Sequence, residues 1–95
     1  MYVVLLRFSD NKSLAPQFMD GHNAWIKQGF DDGVFLMAGS LQTPAGGTVF
    51  AHQCELAQLQ DRVARDPFVA ENVVQAEILE ISPARTDDRL AFLLS

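Results

Sequence analysis

Apolar residues recur along this chain with two different periods, one typical of strands and the other of helices. The segment Tyr2–Phe8 is apolar at nearly every position, which is typical of a central strand with both faces buried. Residues 14–32 instead carry apolar side chains three and four positions apart, which is the spacing of one helical face. Ser13 is placed to cap this helix and Gly33 to end it. The chain is therefore predicted to begin with a strand and a long helix.

The rest of the pattern predicts three more strands and a second helix. Two of these strands are joined by a long glycine-rich connection, residues 39–47, rather than by a tight turn. A short turn of helix at Asp66, Pro67 and Phe68 precedes the last strand, which Pro83 ends. The predicted segments are strands at residues 34–38, 48–54 and 73–81, and a helix at residues 56–65.

This order of elements predicts an α+β domain with the ferredoxin-like β-α-β-β-α-β arrangement, over residues 1–83. Two helices cover only one face of a four-stranded sheet, and the strands are apolar on both faces. We therefore expect a second copy of the chain to bury the open face, giving a homodimer or a higher homo-oligomer. Residues 84–95 form a tail whose apolar end is expected to lie along its own or a neighbouring subunit.

Composition and charge are typical of a single globular domain and disfavour a nucleic-acid-binding or membrane protein. A length of 95 residues fits one domain, and 48% hydrophobic with 20% charged residues is ordinary globular composition. The basic residues are few, scattered and outnumbered, at 7 against 12 acidic ones, whereas nucleic-acid binding needs a concentrated positive surface. The apolar start of the chain lacks a basic leader, and no apolar run approaches the roughly 20 residues that span a bilayer. We expect a cytoplasmic protein that binds neither nucleic acid nor membrane.

His22 is the candidate for a residue that transfers protons. His22 lies in the apolar stripe of the first helix, so its side chain points toward the core. Imidazole exchanges protons near neutral pH, and Asp66 is the best candidate to orient it. Two structural alternatives stay open: His22 as a core histidine bonded to a carbonyl, and Asp66 as the N-cap that an Asp-Pro pair favours.

Several other residues are candidates to contact a substrate. The glycine-rich connection could present backbone amides and a serine hydroxyl to an oxyanion, although by itself it is also typical of a flexible hairpin. Aromatic residues could wall a pocket, although at such spacings they usually belong to a core. The expected substrate-binding residues are Trp25, Gly39, Ser40, Gly46, Gly47 and Phe68.

Metal and thiol chemistry are not expected. His52 and Cys54 alternate on one strand face, but two ligands without supporting carboxylates make a poor zinc site. Nothing in the sequence indicates a base or a positive environment that would activate Cys54 as a nucleophile. A lone cysteine also excludes an internal disulfide and is consistent with a reducing compartment.

Taken in order, these motifs resemble those of the YCII-related (YciI-like) family over residues 1–83. The matching features are the N-terminal strand, His22 with Trp25 one turn later, residues 33–39, the pair Gly46 and Gly47, and Asp66, Pro67 and Phe68. The resemblance implies a dimeric α/β barrel of two ferredoxin-like sheets, with His22 and Asp66 paired in a pocket on each subunit. One branch of this family is a dehydrochlorinase of a chlorinated hydroxyhydroquinone that uses no metal or organic cofactor.

Two classes of function remain open at this point. The first is an enzyme without cofactor, a lyase or isomerase, in which His22 acts as general acid and base on a small phenolic or enolisable molecule. The second is a non-catalytic dimeric module that binds a small metabolite, with His22 as a hydrogen-bonding group. The sequence does not distinguish between them.

Overall fold

A computed structural model describes residues 1–43 and 45–94 of the chain. Short 3-10 helices occupy Lys12–Leu14 and Asp88–Leu94. The remaining elements are β1 (Tyr2–Phe8), α1 (Ala15–Asp31), β2 (Phe35–Ser40), β3 (Gly46–Ala51), α2 (Leu56–Ala64), α3 (Pro67–Ala70) and β4 (Val74–Glu80).

The four strands form one antiparallel sheet in the order β2-β3-β1-β4, with β1 in the centre. Burial alternates along β1: Val4 and Leu6 are buried, whereas Val3 and Leu5 are only partly so. The buried side packs against the helices, in a core that includes Leu59 of α2. The predicted α+β, ferredoxin-like fold is therefore confirmed, with helices on one face of the sheet.

The β2–β3 hairpin differs from the sequence prediction because glycines extend both strands. Gly39 pairs with Thr48 and Ser40 with Gly47, so the strands reach further into the predicted connection of residues 39–47. Gly46 lies opposite Arg7 of β1. The hairpin loop is therefore shorter than predicted, and Pro44 within it lies outside the described residues.

The ends of two elements also differ from the prediction. Strand β3 ends at Ala51 rather than at residue 54, because Gln53 has a positive φ of 55° that extended backbone cannot accommodate. Ser13 does not cap α1. It lies within the preceding 3-10 helix, and the N-cap is Leu14, which makes no side-chain hydrogen bond. Gly33 follows the end of α1 with a φ of 74°, as expected of a helix-ending glycine.

The C-terminal tail folds back onto the end of its own sheet. Leu93 and Leu94 line a shallow groove with Met1 and Ile81, and the ring of Phe92 lies 5.7 Å from that of His52. These contacts join the tail to residues of its own chain. Within the described residues, no helix is both long enough and apolar enough to span a membrane.

Candidate functional site

The site begins on α1, where His22 points toward the short helix α3. The neighbouring residue, Gly21, lets the two helices approach closely: a Cβ added there would lie 3.1 Å from Cγ of Pro67. A larger side chain at this position would push α3 away. The absence of a side chain at Gly21 therefore allows α1 and α3 to pack closely beside His22.

Asp66 meets His22 at the start of α3. Its Oδ1 lies 2.8 Å from Nδ1 of His22, and its side chain is fully buried. The same oxygen accepts the backbone N–H of Phe68 at 3.0 Å, so Asp66 is the N-cap of α3. Its Oδ2 is buried without a hydrogen-bond partner among residues 1–43 and 45–94. Asp66 thus both caps α3 and contacts His22, two roles that are compatible in one carboxylate.

Phe68 supports the imidazole from one side. The two rings are parallel within 5°, with their centroids 4.0 Å apart. Phe68 is itself held by its amide hydrogen bond to Asp66. One carboxylate oxygen therefore fixes both a ring nitrogen of His22 and the residue on which that ring stacks.

The hydrogen-bonding pattern defines the tautomer of His22. Oδ1 of Asp66 acts as an acceptor toward the Phe68 amide, and a carboxylate oxygen accepts from the imidazole as well. A hydrogen on Nδ1 satisfies this contact with Asp66 as a carboxylate. The His22 side chain is 13% exposed. Because Asp66 engages Nδ1, Nε2 is the ring nitrogen left for another partner.

A cavity of about 360 Å³ lies beside His22, between α1 and the β2–β3 hairpin. His22 is its one titratable lining residue in the described chain. The other polar lining side chains are uncharged, namely those of Asn23, Ser40 and Thr48. Most of the remaining wall is apolar, contributed by Leu6, Phe8, Met19, Ile26, Ala38, Val49, Phe68 and Val74.

Most of the residues expected to contact a substrate line this cavity. They are Gly39, Ser40, Gly46, Gly47 and Phe68. Trp25 is not among the lining residues, because its indole N–H donates to the carbonyl of Arg62 and its ring packs against Phe35. Asp66 lies behind His22 rather than in the wall.

Met19 and Asn23 of α1 also line the cavity, although neither was expected to do so from the sequence. Both lie on the same helical face as His22, three positions before it and one after it, with Ile26 completing the face. This spacing was a usable signal. Both residues are exposed in the structure, and in sequence an exposed residue that lines a cavity is not distinguished from one that faces bulk solvent.

Cys54 lies away from this cavity, in a cleft beside α2. Burial raises the pKa of its thiol, and the nearby charge of Arg62 only partly offsets that effect. The thiol therefore keeps its proton more firmly than an ordinary cysteine. The described residues contain no cluster of three or more His, Cys, Asp or Glu side chains that could hold a metal ion.

Among comparisons with known proteins, only the one with solved structures gives a match, and it concerns the fold. No family model matches the chain, and no curated protein matches it. Among solved structures, it resembles the 5-chloro-2-hydroxyhydroquinone dehydrochlorinase of Burkholderia phenoliruptrix AC1100, in complex with 2,5-dihydroxybenzoquinone. The TM-score is 0.68 at 11% sequence identity, over 85% of this chain and 93% of the other. The chain therefore shares the fold of this dehydrochlorinase, in agreement with the ferredoxin-like arrangement of its own sheet and helices.

Proposed function

We propose that this chain is a small cytoplasmic enzyme of the YciI-like type that works without a cofactor. In this proposal His22 transfers a proton to and from a small organic substrate, and Asp66 positions the imidazole. The observation that carries the proposal is the 2.8 Å contact between His22 Nδ1 and the buried Asp66 Oδ1. A buried carboxylate on one ring nitrogen prepares the other nitrogen as a base.

The reaction class follows from what one base of this kind can do. Nε2 takes a proton from carbon or from a hydroxyl group of the substrate, and the freed electron pair forms a new double bond. In an elimination, a leaving group such as chloride departs with its own electron pair. In an isomerisation, the imidazolium returns the proton at another atom. Both reactions are redox-neutral, and the buried charge of Asp66 stabilises the imidazolium between the two steps.

The size and lining of the cavity indicate the kind of substrate. A volume of about 360 Å³ is at the lower end of the range for pockets that bind small organic ligands. Apolar walls with the flat ring of Phe68 favour a compact, planar molecule, phenolic or enolisable. The related fold of the dehydrochlorinase supports this class of chemistry.

We also propose that the enzyme is a homodimer built on the open face of the sheet. A row of apolar side chains crosses that face, since Met37 pairs with Phe50, Phe50 with Val3, and Val3 with Leu79. Met37 and Leu79 are 37% and 43% exposed in the single chain. Burying this row against its own copy would remove a continuous apolar surface from water.

A turnover screen tests the proposed reaction. Wild type, His22→Ala and His52→Ala would be incubated with a panel of chlorinated and hydroxylated phenols and of enolisable carbonyl compounds. Consumption would be followed by chromatography and by chloride release. His52 is the matched control, because it is the only other histidine and lies outside the cavity.

We expect wild type and His52→Ala to turn over the same compound, with His22→Ala about a hundred- to ten-thousand-fold slower. Undiminished turnover by a folded His22→Ala would contradict the proposal. Binding of panel compounds with no turnover of any of them would favour a non-catalytic binding module instead.

A further inference from the structure

A lysine contacts one of the residues that line the cavity. Phe8, which lines the cavity, is 36% exposed at the end of β1. The ammonium of Lys12 lies 4.9 Å from the centre of the Phe8 ring, within the range of a cation–π contact. A positive charge therefore lies against one apolar residue of the cavity wall.

The backbone that carries Lys12 is fixed relative to the site. The turn after β1 is tied to the segment between α3 and β4 by three hydrogen bonds. The Ser9 N–H donates to the Val73 carbonyl (2.9 Å) and the Asn11 N–H to the Asn72 carbonyl (3.0 Å). The Asn11 side chain donates to the Glu71 carbonyl at 2.8 Å. This segment directly follows α3, which carries Phe68, and the Phe68 ring stacks on His22. The backbone at Lys12 is therefore bonded to the same part of the chain that contacts His22.

Lys12 differs from most of the basic residues of the chain in its partners. Four of the others form ion pairs with carboxylates, namely Arg7, Lys27, Arg62 and Arg89. Among the described residues, Lys12 has no carboxylate within ion-pair distance. Its charge is therefore not neutralised locally, although the whole chain has a net charge of −5 and repels anions at long range.

The described lining of the cavity itself contains no Asp, Glu, Lys or Arg. A charged substituent on a bound molecule would therefore need a partner outside this lining, and Lys12 is the cation in contact with the lining residue Phe8. An ammonium with free donors binds a carboxylate and disfavours a cationic group.

We propose that Lys12 selects substrates that carry a carboxylate: small planar organic acids, whose apolar body fills the cavity beside His22 and whose anionic group meets Lys12. This inference rests on the proposed function, because it assigns a substrate class to the same cavity. Lys12 acts here as a specificity-determining residue and takes no part in proton transfer.

Three probes of the same shape and different charge test the proposal, namely benzoate, benzamide and benzamidinium. Their binding would be followed by NMR through the imidazole signals of His22, so no turnover is needed. The variants are Lys12→Gln and Lys12→Arg. Lys27→Gln is the matched control, since it removes a lysine from the far part of α1 that is paired with Asp31.

Wild type and Lys27→Gln should bind benzoate about fivefold more tightly than benzamide, the effect expected of a partly exposed charge pair, with benzamidinium weakest. Lys12→Gln should bind benzoate and benzamide equally, with unchanged affinity for benzamide, and Lys12→Arg should keep the preference. Raising the salt concentration from about 20 mM to about 200 mM should weaken the preference in wild type.

The proposal is overturned if Lys12→Gln keeps the preference for benzoate, if wild type has none, or if wild type binds none of the three probes. These outcomes are separable from those of the turnover screen. A protein without turnover can still prefer the anion, and an active enzyme can lack the preference.

Discussion

His22 and Asp66 lie 44 positions apart in the chain, and the Nδ1 of the first is 2.8 Å from the Oδ1 of the second. That oxygen is also the cap of α3, through the amide of Phe68. The ring of Phe68 in turn stacks on the imidazole. Asp66 and Phe68, which form the start of α3, are therefore also the two residues that hold the imidazole of His22 in the proposed proton-transfer site.

Substitutions of Asp66 should separate its charge from its capping role. Asp66→Asn keeps an oxygen that accepts both hydrogen bonds, so we expect a loss of about 1 kcal/mol in the free energy of unfolding. Asp66→Ala loses the cap and leaves the imidazole N–H without a buried partner, which should cost about 2–4 kcal/mol. Urea denaturation measures both losses.

Activity should respond differently from stability in these variants. Asp66→Asn removes the charge that stabilises the imidazolium, so turnover of a substrate found in the screen should fall substantially while ligand binding is largely kept. Asp20→Asn, an exposed carboxylate on the same helix as His22, is the control. Full activity in Asp66→Asn would show that the charge of Asp66 plays no part.

The fold was predictable because most elements have clear apolar periods. The bounds predicted for β1 match the structure, since every residue from Tyr2 to Phe8 except Arg7 is apolar. The ends of β2 and β3 were not predictable from local preference, because glycine is a poor strand former. There the pairing of Gly46 and Gly47 with β1 supplies the stabilisation that their own sequence lacks.

The candidate site was predictable in part. A histidine in an apolar helical stripe and an Asp-Pro pair are visible in the sequence, and the resemblance to a family joined them. The orientation of Trp25 was not visible, because it depends on a carbonyl of α2 that accepts the indole N–H. Tertiary contacts of this kind decide which aromatic residue faces a cavity and which one belongs to the core.

The glycine at the start of β3 should be intolerant of substitution. Gly46 has a φ of 134°, and a Cβ there would overlap the carbonyl oxygen of Leu6. Gly46→Ala should therefore lose about 2 kcal/mol or more of stability. Gly39→Ala, also in the cavity wall, is the matched control. Its Cβ would meet only the sulfur of Met37 at 3.5 Å, so we expect a change within about 0.5 kcal/mol. Equal thermal stability of the two variants would contradict this account.

Alkylation should show the raised pKa of Cys54. Because burial raises the pKa of this thiol, its thiolate fraction at neutral pH is smaller than that of a free cysteine. Iodoacetamide should react slowly at pH 7, and the rate should increase with pH with a midpoint above that of a free cysteine. The chain unfolded in urea, with the same single cysteine, is the reference. A midpoint below the reference would contradict the assignment.

The open sheet face should control the oligomeric state. Sedimentation of the wild type at micromolar concentration should give a species of at least two chains. Phe50→Lys places a charge in the middle of the apolar row and should give a monomer. Leu56→Lys, at an exposed apolar residue on α2, should sediment like the wild type. A wild type that stays monomeric would rule out the proposed dimer.

The position of the proton on His22 tests the central claim most directly. Long-range 15N–1H correlation spectra of the labelled protein distinguish a protonated from an unprotonated nitrogen in each imidazole ring. At a pH where the His22 ring is neutral, we predict a hydrogen on Nδ1, toward Asp66, and a lone pair on Nε2, with this preference lost in Asp66→Ala. A neutral His22 ring with its hydrogen on Nε2 and none on Nδ1 would contradict the account.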